Sequence, residues 1–247
     1  MCYKGSIAAE ERRIEDRISR NFKKKVQYTP SYNINAFANP KVYIVAQDEP
    51  NVIKEAIWGL VPDWKKNDSQ GFLSGKQYTN NARGEDLYET KSFKDHVINE
   101  RCWILFDGFF EPHYYSSKIQ QPYFCYIPDG NSVFDREILT IAGIYSKIHD
   151  DYYVSLVTTE ANNFFAEIHN KQKRMPLVLD PRLREEWILM DQSKSVISDL
   201  VKKGFISDEF RAHPVSNQLY KGSNDESTIQ AVEPFQSTSL FNPSLSV

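Results

Sequence analysis

Apolar residues recur at helical spacing near the start of the chain, at Ile7, Ile14, Ile18 and Phe22. Glu10 and Glu11 precede Lys23, Lys24 and Lys25, the order a helix dipole favours. The pattern predicts a helix over residues 8–22. Past Pro40 the apolar runs become short, β-branched and aromatic, with turn residues between them. They predict strands at 41–46, 53–60, 102–107, 123–127, 139–145 and 152–158. Helices at 92–99 and 162–169 interrupt the strands. Asp180-Pro181 supplies an N-cap and a first helical position, predicting a helix over 181–190, and 194–203 reads as another. Strands fill the middle and helices the ends and crossovers. This is an α+β fold: a single compact domain over residues 2–233 with a largely antiparallel, barrel-like β core and flanking helices. Residues 234–247, rich in Ser, Pro and Asn, read as a loose tail.

Composition narrows the class. The chain has 247 residues, and its 15 Phe, 14 Tyr and 4 Trp argue for a packed core rather than disorder. No apolar run is long enough to span a membrane, and the charged Glu10-Glu11-Arg12-Arg13 stretch does not read as a secretory leader. Cys2, Cys102 and Cys125 are too few and scattered for a disulfide framework or a zinc knuckle, which points to a reducing, cytoplasmic setting and to no metal or cofactor. A net charge of −3 excludes a protein that coats nucleic acid by bulk charge. Any nucleic-acid contact must be a local basic groove. Arg12-Arg13 and the Lys23–25 run read as solvated faces, and the cluster from Lys171 to Arg174 stays open.

Chemistry begins at Cys2. It follows Met1 directly, and Cys is small enough for Met1 to be removed. The exposed residue then carries a thiol and an α-amine on adjacent carbons, with ordinary pKa values of about 8.5 and about 7.7–8.0. Together they can close a thiazolidine ring on one aldehyde. Position alone favours an ordinary residue in a frayed terminus. Three other segments change that balance. Asn81 and Arg83 lie in a polar stretch, where an amide can orient a nucleophile and an Arg can grip a phosphate. Glu111 ends an apolar run through Asp107-Gly108-Phe109-Phe110; it is either a general acid with a raised pKa or a strand-end partner of Arg101 or another Arg. His169 ends an apolar helical stretch and is either a helix cap or a proton shuttle. Trp58 sits in an apolar run that should bury it. Trp64, beside Lys65 and Lys66, either stacks on a base or covers the core from outside.

In this order the segments resemble the SRAP (SOS-response-associated peptidase) family over roughly residues 2–216. The likeness rests on Met1-Cys2, Tyr32-Asn33-Ile34, the WGLVPDW stretch from Trp58 to Trp64 and Asn81-Ala82-Arg83. It continues through the segment from Arg101 to Glu111, Ala142-Gly143-Ile144-Tyr145, the block from Thr158 through His169 to Arg174-Met175-Pro176, and Pro214-Val215-Ser216. The resemblance implies a monomeric, nucleoid-associated abasic-site sensor of the DNA-damage (SOS) response. Its partners would be single-stranded DNA or single-strand/double-strand junctions, and its product a thiazolidine crosslink on Cys2. Autopeptidase removal of Met1 and lyase-like chemistry belong to the same implication. Asn81 would orient the linkage, Glu111 serve as acid and base, and His169 move protons. Arg83 and Lys4 would hold phosphates, with either Lys171 or Arg174, and Trp64 would meet the DNA. The chain departs from the family pattern in having Lys4 for the commoner Arg, Gly84 after Arg83, and an apparent three-residue insertion between His169 and Arg174. Two other readings compete: a noncatalytic reader of damaged or modified DNA, and a cysteine N-terminal hydrolase.

Overall fold

A computed structural model describes residues 2–75, 79–132, 134–205, 209–220 and 229–234. In chain order the first half forms β1 (Lys4–Ile7), α1 (Glu11–Ile18), β2 (Asn21–Phe22), β3 (Ser31–Asn35), β4 (Lys41–Ala46), β5 (Glu49–Trp58), α2 (Ser69–Ser74), β6 (Asn81–Arg83) and α3 (His96–Asn99). There follow β7 (Arg101–Phe106), β8 (Gly108–Tyr114), β9 (Gln120–Tyr126), β10 (Leu139–Ile148), β11 (Asp151–Glu160), α4 (Asn163–Ile168), β12 (Arg174–Pro176), α5 (Arg184–Ile188), α6 (Lys194–Lys203) and β13 (Arg211–Pro214).

The β-branched runs make the long central strands, and these pair as one sheet in the order β12-β11-β10-β7-β4-β5-β2, with β6 beside β11. A second, antiparallel sheet runs β13-β9-β8-β1-β3. The larger sheet curls until β5 meets β11, but only at Tyr153 with Ile57 and Val154 with Trp58. The core is therefore mostly antiparallel, as expected from the sequence, but the barrel is not closed. Trp58, Trp103, Trp187, Phe106 and Phe109 fill the interior.

Asp107-Gly108, between β7 and β8, is the corner where the chain leaves one sheet for the other. The Asp107 amide donates to the Ser6 carbonyl, and its carboxylate accepts from the Ala8 and Ala9 amides and from Arg136. Gly108 is required by close approach, since a Cβ there would lie 2.2 Å from the Phe124 ring. These bonds also shorten the predicted first helix. Ala8 and Ala9 are held by Asp107, so α1 starts at Glu11, and Ser19 in the left-handed region (φ 57°) ends it. The helix expected from Pro181 begins one turn later, at Arg184. Among the described residues no helix is long and apolar enough to cross a membrane. Of the expected tail, residues 235–247 lie outside the described residues. Just before it, Val232 is buried and its carbonyl accepts from His213.

Candidate active site

Cys2 enters the structure immediately before β1, which is wedged between β3 and β8. It is 1% exposed, so it is not a frayed end. Three elements converge on it. Asn81 opens β6 and donates from Nδ2 to the Cys2 carbonyl at 2.8 Å. Glu111 sits in β8, the neighbour of β1, and is fully buried. His169 follows α4, with Nδ1 lying 3.6 Å from Glu111 Oε2, longer than a hydrogen bond. The four residues lie far apart in sequence and meet because β1 pairs with β8, α4 packs on β8 and Asn81 bonds the Cys2 carbonyl.

The electrostatics follow from burial. Loss of hydration pushes the Glu111 carboxyl up to about 7, against its ordinary 4.5. Burial, then the nearby Glu111 charge, raises the Cys2 thiol well above its ordinary range. The thiol donates to the Lys4 carbonyl at 3.5 Å. It lies near enough to Glu111 to pull the carboxyl down slightly, yet neither Glu111 oxygen finds an aligned hydrogen-bond partner among the described residues. Asn81 Oδ1 is buried and unpartnered in the same sense. Three acceptor atoms are thus concentrated around Cys2. Such atoms are costly to bury without donors. Burial lowers His169 to about 4, so its ring is neutral at physiological pH. Nδ1 carries the hydrogen that donates to the Arg174 carbonyl at 2.9 Å. Glu111 does not pair with Arg101, whose guanidinium instead donates to the carbonyls of Trp187, Val97, Ile98 and Leu189.

The expected cations divide. Lys4 is largely buried, with Nζ donating to Asn33 Oδ1 at 3.0 Å. Arg83 is exposed, and as the second residue after Asn81 in a strand it shares Asn81's face. Lys171 is exposed, with Nζ 4.9 Å from the Tyr114 ring centroid. Arg174 points elsewhere. It makes a two-bond pair with Glu85, each bond 2.8 Å, and donates to Thr158, so of the two cations left open for phosphate it is the one held inside the protein. Trp58 is fully buried and donates from Nε1 to the Asn80 carbonyl, next to Asn81. Trp64 is 51% exposed, edge-on to Phe72, with Lys91 5.1 Å from its ring centroid.

Beside the Cys2 cluster lies a cavity of about 170 Å3 whose walls include Tyr3, Lys4, Tyr114, Gln120, His169 and Gln172. Trp64 does not line it. The roles of Asn33, Tyr114, Asn170 and Gln172 were not readable in sequence. Asn170 and Gln172 fall in the segment before Arg174 whose spacing stands out, but no pattern gives them or Asn33 and Tyr114 a role.

Residues 1–221 match the family model described as SOS response associated peptidase (SRAP). The abasic site processing protein YoaM of Bacillus subtilis is 27% identical over 214 residues, covering 85% of this chain and 88% of the relative. The abasic site processing protein HMCES of Gallus gallus is 28% identical over 226 residues, covering 81% of this chain and 65% of the relative. A crystal structure of a protein from Bacteroides thetaiotaomicron superposes with a TM-score of 0.80 at 25% identity, covering 95% of this chain and all of that one.

Proposed function

The chain belongs to the SOS response associated peptidase family, and from that membership we propose that it traps abasic sites in DNA as a covalent adduct on Cys2. The target is the ring-opened sugar aldehyde in single-stranded DNA or at single-strand/double-strand junctions. The relatives' name, abasic site processing protein, supports the substrate class. The observation that carries the reading is the convergence of Asn81, Glu111 and His169 on one buried amino-terminal cysteine.

Met1 leaves first, by hydrolysis that consumes one water and releases one methionine. The freed amine of Cys2 then adds to the aldehyde carbon, and the carbinolamine loses water to give an imine. With a pKa near 7, Glu111 is partly protonated at neutral pH and donates the proton that lets hydroxide leave as water. The raised thiol is neutral at this stage, so the amine is the first nucleophile. The ionised Glu111 next takes the thiol proton as sulfur bonds to the carbon of the protonated imine, which restores the acid form of Glu111 while the nitrogen keeps the hydrogen it held in the carbinolamine. One five-membered ring forms, with one water lost overall. Asn81 fixes the Cys2 carbonyl, and its buried, unpartnered oxygen would accept from the new amine. His169, being neutral, serves as an acceptor rather than an acid. Lys4, Arg83 and Lys171 hold the backbone.

Intact-mass analysis with an abasic oligonucleotide tests this. The expected product has the mass of the protein lacking Met1 plus the oligonucleotide less one water, and Cys2→Ala abolishes it. An equally heat-stable, undiminished band from Cys2→Ala on a denaturing gel overturns the reading. A noncatalytic reader would bind without any adduct, and a hydrolase would turn over an amide without accumulating one.

A further inference from the structure

The segment between His169 and Arg174 is a built wall rather than slack. Asn170 grips both backbone groups of Tyr114, donating from Nδ2 to its carbonyl at 2.8 Å and accepting from its amide at 3.0 Å. The Lys173 amide closes a turn onto the His169 carbonyl at 2.9 Å, and the Lys173 carbonyl accepts from Ala161 at 3.0 Å. Lys173 itself sits in the left-handed region at φ 50°. The segment is thereby fastened to the end of β8, and Gln172 becomes part of the cavity wall beside Tyr114.

That cavity shares His169 with the Cys2 cluster, and Lys4 is two residues from Cys2. On β8 its floor residues Phe110 and Pro112 flank Glu111, which faces the opposite side of the strand. Tyr3 and Lys4, the two residues that follow Cys2, line the cavity, so a nucleotide adjoining a sugar held at Cys2 lies within reach of it. Its volume of about 170 Å3 suits one flat ring system, since a cavity of about 150 Å3 holds a benzene. Tyr3 and Tyr114 offer aromatic surfaces, and base stacking on such surfaces tolerates any base. Gln120 and Gln172 add two amides, each with a donor and an acceptor side by side. That pairing matches the donor and acceptor on an adenine edge.

We propose that the cavity between Tyr114, Gln120 and Gln172 is a subsite for the nucleobase adjoining the lesion, and that it prefers adenine. The proposal rests on the abasic-site reading above. It makes Gln172 a specificity-determining residue.

Equilibrium binding of the Cys2→Ala protein, which forms no adduct, isolates the subsite from the chemistry. The probes are single-stranded oligonucleotides carrying one tetrahydrofuran abasic analogue. Each flank is varied in turn among the four bases and a second tetrahydrofuran. Adenine at one flank, and not at the other, is expected to bind about tenfold tighter than the base-free flank, the low end of a good bidentate contact. Adding Gln172→Ala should bring the four bases to within about twofold of one another. Tyr114→Ala should weaken all four together, and Tyr114→Phe should restore them. Equal affinities for every flank, including the base-free one, overturn the subsite. Adduct formation by the unsubstituted protein is scored separately: adduct without flank preference removes the subsite and leaves the trapping reading standing, whereas flank preference without adduct does the reverse.

Discussion

Glu111 concentrates the conflict between stability and chemistry in one side chain. Burial holds its carboxyl near 7, so the folded protein binds this proton more tightly than the unfolded chain does. Its contribution to stability is complete below about pH 4.5 and is lost as pH rises toward 7. The displacement from 4.5 to about 7 corresponds to about 3 kcal/mol. His169 acts in the opposite sense. Its folded value near 4 lies below the ordinary 6.5, so it costs stability as pH falls between those values. The two slopes oppose each other through the overlapping range, and the site as a whole hides its titration. Glu111→Gln keeps the shape and removes one slope. It should leave stability unchanged below about pH 4.5 and raise it at pH 8 by up to about 3 kcal/mol. Adduct formation should nevertheless slow much more than DNA binding weakens. Melting curves from pH 4 to 8, alongside adduct kinetics, check both halves. A variant that loses stability at pH 8 would show that the carboxylate is satisfied rather than strained.

At the scale of elements, the strands legible in sequence and the strands that carry the site are largely different sets. β4, β7, β10 and β11 announce themselves because they are rich in β-branched and aromatic residues and largely buried on both faces, β5 by its apolar second half and β9 by the aromatic run at 123–126. Cys2, Asn81, Glu111 and Arg174 stand in or beside β1, β6, β8 and β12. Their sequences, KGSI, NAR, GFFEPHY and RMP, are short, polar or broken by Gly and Pro. No local pattern marks such segments as strands, since their pairing is imposed by long neighbours. What the sequence did expose was chemistry: a cysteine after Met1, a carboxyl amid aromatics, a histidine ending a helix. The side-chain bonds that join them, Asn81 to the Cys2 carbonyl and Asn170 to Tyr114, depend on three-dimensional contacts that periodicity does not encode. Trp58 links the two sets. It ends β5, and its indole holds the Asn80 carbonyl, one residue from Asn81. Trp58→Ala should therefore cost about 3–5 kcal/mol of stability. It should also slow adduct formation per folded molecule, because the start of β6 loses its anchor. Thermal melts combined with single-turnover adduct rates below the melting point separate these effects. A purely thermal defect would confine Trp58 to the core.

Across the whole molecule, a net charge of −3 and a nucleic-acid partner are compatible only if cations are concentrated near the site. The arrangement of ion pairs makes that possible. Several of the other basic side chains are neutralised nearby: Arg13 and Arg17 by Asp129, Arg20 by Glu185, Lys54 by Glu49 and Arg174 by Glu85. Arg83 is different. It is exposed on the Asn81 face of β6, and its nearest carboxylate, Asp86, stands at 3.9 Å, too far for a hydrogen bond. Lys171 is likewise exposed, against Tyr114 at the cavity rim. These two cations should each contribute one phosphate contact. On single strands, losing one contact lowers the slope of log affinity against log salt by about 0.7. Arg83→Ala and Lys171→Ala are each expected to show that decrement equally for every base composition. Arg174→Ala should leave the slope unchanged and lower the melting temperature instead, because Glu85 and Thr158 lose their common partner. Binding isotherms at several salt concentrations decide the matter. A reduced slope for Arg174→Ala, or an Arg83→Ala protein with altered base preference and an intact slope, would mean that the groove is built from different cations.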